Sequence, residues 1–223
     1  MPRPADTPLA FIGGTGPEGT GLALRFAALG HSIIIGSRDR DRAREVAGRL
    51  SAQAGHGADV SGAENAQAAA EARVLFLTVP YAAQAPLLPT LKGVIAPGSI
   101  VISTVAPLAF QGGKPRPVAV PDGSAAQEAQ RFLPDTRVVA AFHHLSAKHL
   151  ADLPHPLEGD VLACGDDREA KEMVMDLVRE LHDLRPVDAG DIAYAGVLES
   201  LTAVLIGMNR RYRTESGVRI VGV

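Results

Sequence analysis

The sequence predicts an α/β protein: a doubly wound, mostly parallel sheet with a small C-terminal α/β extension. Strand-like and helical patterns alternate along the chain. The strand-like segments are continuous apolar runs, as expected where helices cover both faces of a sheet. The first run, Leu9-Ala10-Phe11-Ile12, leads directly into a glycine-rich turn, Gly13-Gly14-Thr15-Gly16-Pro17-Glu18-Gly19.

Each element has a local warrant. Residues 8–12 are the first strand, and residues 19–29 a helix with Leu22, Leu24, Phe26 and Leu29 among small residues, closed by Gly30. Ile33, Ile34 and Ile35 make a second buried strand, and a charged helix covers residues 39–53. Residues 59–62 give a short third strand, 74–79 a fourth stopped by Pro80, 100–103 a fifth and 138–142 a sixth. Between residues 105 and 135 the pattern weakens. Gly112-Gly113-Lys114-Pro115-Arg116-Pro117 reads as a turn-rich loop, either ligand-binding or disordered, and residues 124–132 as a short helix. Residues 161–165 are strand-like, residues 166–181 helical with an acidic start, and residues 184–190 a last strand and turn. The final helix, residues 192–211, has a wide apolar face of Val197, Leu198, Leu201, Val204, Leu205 and Met208, which serves either its own sheet or a homodimer contact.

Composition narrows the function classes. The 223 residues fit one domain, or one with an appendage, and 46% are apolar, enough for a real core. With 22 basic against 25 acidic side chains, no overall basic field is present to hold nucleic acid. No apolar run approaches the roughly 20 residues of a membrane span. Met1-Pro2-Arg3-Pro4-Ala5-Asp6 lacks the apolar core of a signal peptide. The single cysteine, Cys164, reads as a small buried residue and excludes an internal disulfide. A cytoplasmic protein is expected.

Gly14, Gly16 and Gly19 satisfy G-x-G-x-x-G between a strand and a helix, the context of a Rossmann-type dinucleotide site. The spacing supplies a tight turn, close approach of backbone to pyrophosphate, and close packing of helix on strand. Pro17 suits a first helical position, where its missing N–H has no helical partner anyway. At the end of the second strand stands Gly36-Ser37-Arg38. A carboxylate there would grip a free 2′-hydroxyl; a hydroxyl and a guanidinium suit a 2′-phosphate, so NADP(H) is expected. Arg42, one turn further, is placed to close over the adenine side. Arg40 and Arg44, beside Asp39, Asp41 and Glu45, read as a solvated face.

Ligands of open α/β sheets sit at the carboxyl ends of the strands. The candidates are Thr78-Val79-Pro80-Tyr81, Ser103-Thr104-Val105-Ala106-Pro107 and His143-His144-Leu145. G-x-S-x-G, C-x-x-C and H-E-x-x-H are all absent. His143, His144, His149 and His155 lie close in sequence, but no carboxylate or cysteine spacing completes a metal site, and none is expected.

Further matching pieces run in order along nearly the whole chain: Gly21-Leu22-Ala23-Leu24-Arg25, Leu29-Gly30-His31, Leu77-Thr78-Val79-Pro80, Cys164-Gly165-Asp166-Asp167, Leu184-Arg185-Pro186-Val187-Asp188-Ala189-Gly190 and Leu198-Glu199-Ser200-Leu201-Thr202. With Gly13-Gly14-Thr15-Gly16 and Gly36-Ser37-Arg38, the chain resembles the NADPH:F-420 oxidoreductases, the F-420-dependent NADP reductases. The resemblance implies a compact homodimer that passes a hydride between NADP(H) and the deazaflavin coenzyme F-420 (F420). It implies an NADP-binding domain over residues 1–145 and a C-terminal part over residues 146–223 that completes the substrate site and the dimer contact.

Carried over by position, NADP(H) contacts fall on Thr15, Gly16, Pro17, Glu18, Ser37, Arg38, Arg42, Val79, Ala83, Ala106 and Ala147. The deazaflavin contacts fall on Pro80, Tyr81, His143 and Leu145. Pro17-Glu18 replaces an Asn-Leu-like pair, Ala83 stands where some members carry histidine, and the tail from Asn209 is unusually basic. That tail is either a solvated end or a partner for the acidic tail of F420. The implied chemistry belongs to the two coenzymes, whose rings the protein holds face to face at roughly 3–3.5 Å. His143 is the candidate for positioning the deazaflavin or relaying its proton, with an imidazole titrating near neutrality. Other readings are an NADPH-dependent reductase of a small carbonyl or imine, and a non-catalytic NADP(H)-sensing module. The first is disfavoured because no long helical second domain follows, and Lys171, the lysine on its helices, reads as exposed.

Overall fold

The computed structural model describes residues 7–223; Met1 to Asp6, read above as lacking a signal peptide, lie outside the described residues. Six strands form one parallel sheet: β1 (Leu9–Ile12), β2 (Ile33–Ser37), β3 (Val60–Glu64), β4 (Val74–Leu77), β5 (Ile100–Ser103) and a later strand, Arg137–Ala140. Their spatial order is β3-β2-β1-β4-β5 with Arg137–Ala140 at the far edge. The chain thus starts in the middle of the sheet, winds one way through β2 and β3, then crosses to the other side at β4. Phe11 pairs with both Ile35 and Phe76, so β1 is central. This reversal of direction beside β1 opens the crevice in which such sheets bind ligands.

Helices α1 (Pro17–Ala28), α2 (Arg40–Ala54), α3 (Asn65–Glu71) and α4 (Tyr81–Leu91) connect β1 to β5. Helix α1 begins at Pro17 rather than at Gly19, because proline at a first helical position sacrifices no helical bond. Asp39 caps α2, accepting from the N–H groups of Asp41 and Arg42. Helices α3 and α4 were not expected. Helix α4 contains Pro86 and Pro89. Both prolines, and Ala82 and Ala85 four residues before them, are exposed, so water reaches the carbonyls that lose their helical donors.

The expected loop at residues 112–117 is instead part of an antiparallel hairpin, β6 (Leu108–Gln111) and β7 (Lys114–Pro117). Gly112 and Gly113 have φ of 55° and 74°, the positive values a two-residue hairpin turn needs. Next come α5 (Ala125–Phe132) and the sheet's edge strand β8 (Arg137–Ala140), then α6 (Ala147–Ala151), β9 (Gly159–Ala163), α7 (Arg168–Glu180), β10 (Leu184–Asp188) and α8 (Ala195–Tyr212). β9 and β10 pair in parallel, and an antiparallel bridge between Ala140 and Cys164 joins them to β8.

The core has two parts, one on each face of the sheet. One gathers Phe11, Phe26, Phe76 and Phe142 with Val161, Val174 and Val178; the other gathers Ile12, Leu75 and Leu77 with Cys164, Ala195 and Leu198. Phe11 and Phe76 stack with centroids 4.5 Å apart. Arg25 of α1 donates to the carbonyls of His149, Leu150, Asp152, Leu153 and His155, fastening the α6 segment to α1.

Two further expectations need correction. Lys171 is buried, not exposed: its Nζ lies 2.7 Å from Asp188 and donates to Gly190 O at 2.9 Å, locking α7 to β10. The tail after α8 is more than a solvated end. Asp160 N donates to Val218 O at 2.7 Å, and Arg185, paired with buried Asp160, donates to Ile220 O. The wide face of α8 divides, with Leu198 and Leu205 buried and Tyr194, Val197, Val204 and Met208 exposed. Ile192–Tyr212 is long and apolar enough by length and composition to cross a membrane. The expectation about apolar runs therefore holds only for uninterrupted ones, since Glu199 lies mid-helix.

Candidate active site

The glycines after β1 do different work. Gly13 has φ of 72°, and a β-carbon there would lie 2.2 Å from Val79 Cγ1. Gly14 N donates to Phe11 O and Gly36 O, both at 3.0 Å, and its α-carbon would lie 2.8 Å from a β-carbon on Gly19. Gly16 is the opposite case: a β-carbon there would meet nothing within 4 Å. It precedes α1, whose first turn has no side-chain cap. Uncapped N–H groups and open space at a helix start suit a phosphate. Glu18 sits in that turn with its Oε1 buried and unpartnered, and burial pushes its carboxyl up to about 8.

Hydroxyls hold the carboxyl rim of the sheet together. Thr78 Oγ1 donates to Ile12 O at 3.1 Å and Thr104 Oγ1 to Leu77 O at 3.2 Å. Val79 and Ala106 follow these threonines at the ends of β4 and β5.

Ser37 closes β2 and is buried, its Oγ accepting from Asp39 N at 3.1 Å. Arg38 and Arg42 are exposed and have no side-chain partner among the described residues. Arg40 donates to Gln67 and Arg44 lies 4.0 Å from Asp41, consistent with a surface role. A cleft of about 610 Å³ brings together Thr15, Gly16, Ser37, Arg38, Arg42 and Ala83, and Pro80 joins them. A second cavity, about 540 Å³, adjoins it through Ser37, Arg38, Pro80 and Ala83, and extends along Ala66, Pro86 and Leu87. Its apolar wall lies beside Arg38, with Glu64 also lining it.

Asn65 was missed in the sequence. It lies in both cavities, and its Oδ1 accepts from Gly13 N at 3.0 Å. The rule that strand ends line the cleft would have indicated it, since it directly follows β3. Tyr81 lines neither cavity: its hydroxyl donates to Glu128 Oε2 at 3.2 Å, and Gln84 donates to Glu128 Oε1 at 2.9 Å.

After β8 the chain turns sharply. Phe142 has φ of 67°, a costly value for an aromatic residue and one that clusters at functional sites. The turn carries His143, His144 and Leu145, followed by Ala147 at the start of α6. His143 is 2% exposed; its ring lies near the Ala141 and Leu198 backbone without a well-formed hydrogen bond, and burial, with His144 beside it, lowers its pKa to about 3. This corrects the expectation of an imidazole titrating near neutrality: the ring is neutral here. Thr202 Oγ1 of α8 donates to His143 O at 3.0 Å, tying the C-terminal helix to this turn. Cys164 is fully buried, its thiol pushed up to about 12. Among the described residues, no three His, Cys, Asp or Glu side chains are grouped to hold a metal ion.

Residues 8–107 match a family model described as NADP oxidoreductase, coenzyme F420-dependent. The chain is 39% identical over 221 residues to the F420-dependent NADP reductase of Methanocaldococcus jannaschii, covering 96% of this chain and 98% of that one. The enzyme of the same name from Methanothermobacter marburgensis is also 39% identical, over the same shares. A crystal structure of a candidate F420-dependent NADP reductase from Arthrobacter sp. FB24 superposes with a TM-score of 0.77 at 27% identity, covering 96% of this chain and 99% of that one.

Proposed function

This chain belongs to the F420-dependent NADP reductase family, and on that premise we propose that it catalyses hydride transfer between NADP(H) and F420. The observation that carries the NADP(H) half is the pair Arg38 and Arg42, unpaired beside Ser37 in a cleft that continues to the open turn at Gly16. A free guanidinium at the end of β2, with a second one turn on in α2, suits a 2′-phosphate and the adenosine beside it.

In this reading the remaining positions divide along the cleft. Thr15, Gly16, Pro17 and Glu18 surround the pyrophosphate, with Pro17 contributing no N–H. Ser37 and Arg38 hold the 2′-phosphate, and Arg42 and Ala83 flank the adenosine. Val79, Ala106 and Ala147 form small walls at the nicotinamide end. Pro80, Tyr81, His143 and Leu145 border the deazaflavin. With both coenzymes bound, a hydride passes between the nicotinamide and deazaflavin rings. The protein's own work is to align the rings and exclude water, and the small side chains of Val79, Ala106 and Ala147 permit close approach. Neutral His143 orients by hydrogen bonding and does not store a proton. Residues 1–145 supply the NADP(H) side apart from Ala147, and residues 146–223 complete the F420 side by holding the His143 turn through Thr202.

We also read the protein as a cytoplasmic homodimer that binds neither nucleic acid nor membrane. Exposed Tyr194 and Val197 at the start of α8 support a contact between copies. The direct test mixes protein, NADPH and F420 and follows the deazaflavin absorbance. Catalytic bleaching supports the reading; tight NADPH binding without turnover overturns it in favour of a sensor or another acceptor.

A further inference from the structure

A groove of about 790 Å³ runs between the β6–β7 hairpin and α8. Lys114 and Arg116 line one wall, Arg210 and Arg211 the other, with Val204 and Met208 between them. No acidic side chain lines it. None of the four cations has a side-chain partner among the described residues, apart from the Arg210 guanidinium lying 5.3 Å over the Phe110 ring. Four unneutralised charges on a chain of net charge −3 form a local positive field.

Both walls of the groove connect along the chain to the proposed hydride site. The hairpin leaves the sheet at Pro107, next to Ala106, and its base is closed by Val118 N donating to Pro107 O at 2.9 Å. Across from it, Ala203 lines the groove one residue beyond Thr202, which holds the His143 turn. From Ala203 to Arg211 the helix rises about 12 Å. From Pro117 to Lys114 the strand advances about 10 Å. The cations are therefore spread outward along a path that starts beside the site, Arg116 near its base and Lys114, Arg210 and Arg211 further out.

We propose that this groove is the subsite for the anionic side chain of F420, its phosphodiester and glutamate carboxylates. The inference rests on the F420 reading above. Arg210, fixed over Phe110, and Arg116 pair with phosphate or carboxylate oxygens, while Lys114 and Arg211 add point charges. The groove thus recognises the part of the coenzyme that takes no part in hydride transfer, which gives selectivity for F420 over its bare deazaflavin nucleoside.

The test compares NADPH-driven reduction of F420 with that of the tail-less deazaflavin nucleoside, in the wild-type protein and in Lys114→Gln, Arg116→Gln, Arg210→Gln and Arg211→Gln, singly and combined. Single substitutions are expected to raise the F420 KM about 2–5-fold, as for exposed charge pairs, and the fourfold variant on the order of tenfold or more. The nucleoside KM and both kcat values stay unchanged. Salt raises the wild-type KM for F420 and has less effect on the fourfold variant. Equal wild-type KM values for the two substrates, or variants that weaken both alike, overturn the subsite while leaving the reductase reading intact. Reduction of neither substrate by wild-type protein overturns the reductase reading and the subsite together. Unchanged thermal unfolding and NADPH affinity exclude misfolding as the cause of any loss.

Discussion

Asn65 accepts a hydrogen bond from the backbone N–H of Gly13 at 3.0 Å, so a side chain 52 positions along the chain fixes the first turn of the dinucleotide cleft. Losing the acceptor leaves that N–H unpaired at a cost of about 1–3 kcal/mol. Asn65→Ala is expected to weaken NADPH binding about tenfold without changing the F420 KM, whereas Asn65→Asp keeps an acceptor and loses less. Fluorescence titration with NADPH measures both; an affinity within twofold of wild type for the alanine variant would remove Asn65 from this role.

Arg38 should decide between the two nicotinamide cofactors. A charged hydrogen-bonding pair contributes about 1.5–3 kcal/mol, which corresponds to roughly 10–100-fold in affinity. Arg38→Ala is predicted to lose that much NADPH affinity while NADH binding stays within about threefold. Ser37→Asp should go further and favour NADH, because its carboxylate repels the 2′-phosphate and accepts from a 2′-hydroxyl. Parallel titrations with the two cofactors test this, and equal losses for both contradict the assignment.

His143 is expected to act as a neutral hydrogen-bonding group. His143→Ala should raise the F420 KM or lower kcat while NADPH affinity survives. The pH–rate profile of the wild-type enzyme should lack an ionisation near the ordinary imidazole value that disappears in the variant, because burial has lowered this pKa to about 3. Finding such an ionisation would show that the ring is exposed to a proton during turnover.

Buried groups set two opposing pH slopes on stability. Between the ordinary histidine value of 6.5 and about 3, the unfolded chain takes a proton on His143 that the fold refuses, so stability falls as pH drops through that window. Glu18 and Glu199, raised by burial from 4.5 to about 8 and about 7, act in reverse. The fold keeps protons that the unfolded chain releases, and stability falls as pH rises from 4.5 towards 8. Urea midpoints measured across this range should therefore peak at an intermediate pH, and Glu18→Gln should flatten the alkaline side. An unaltered alkaline slope in that variant would mean Glu18 is ionised in the fold.

Cys164 should be inert. Its thiol is buried and raised to about 12, so little thiolate forms at neutral pH. Iodoacetamide is expected to leave the native protein unlabelled and active, and to label one site per chain after denaturation. Rapid native labelling would show that the bridge between Cys164 and Ala140 opens readily.

Much of this architecture could be read from residue order, for identifiable reasons. β1, β2, β4 and β5 are short, mostly branched or aromatic apolar runs that suit buried strands, and Gly30 marks the end of α1 by its positive φ. Helix α3 escaped because its Asn-Ala-Gln-Ala-Ala-Ala-Glu stretch has no large apolar residue to show a period, and α4 because Pro86 and Pro89 argue against a helix. The hairpin was masked in the same way: Gly112-Gly113 is a strong turn signal, but Pro115 and Pro117 argue against a strand unless it is an edge. In the cleft, Ser37 and Arg38 were visible because they adjoin a recognisable strand. Asn65 was not, because the expected third strand ended at residue 62 instead of Glu64, and its contact with Gly13 exists only after β3 folds beside β2. Burial of His143 and Lys171 likewise depends on elements distant in sequence.

The two-faced core has a consequence for how this chain can be rearranged. Val161, Val174 and Val178 fill the same layer as Phe11 and Phe76, and Ala195 and Leu198 the same layer as Leu75. The first 145 residues are therefore not a portable cassette. Grafted alone onto another protein, they would carry two raw hydrophobic surfaces. A recombination event that exchanges the nucleotide-binding half must bring its matching C-terminal segment with it, or rebuild both layers at once.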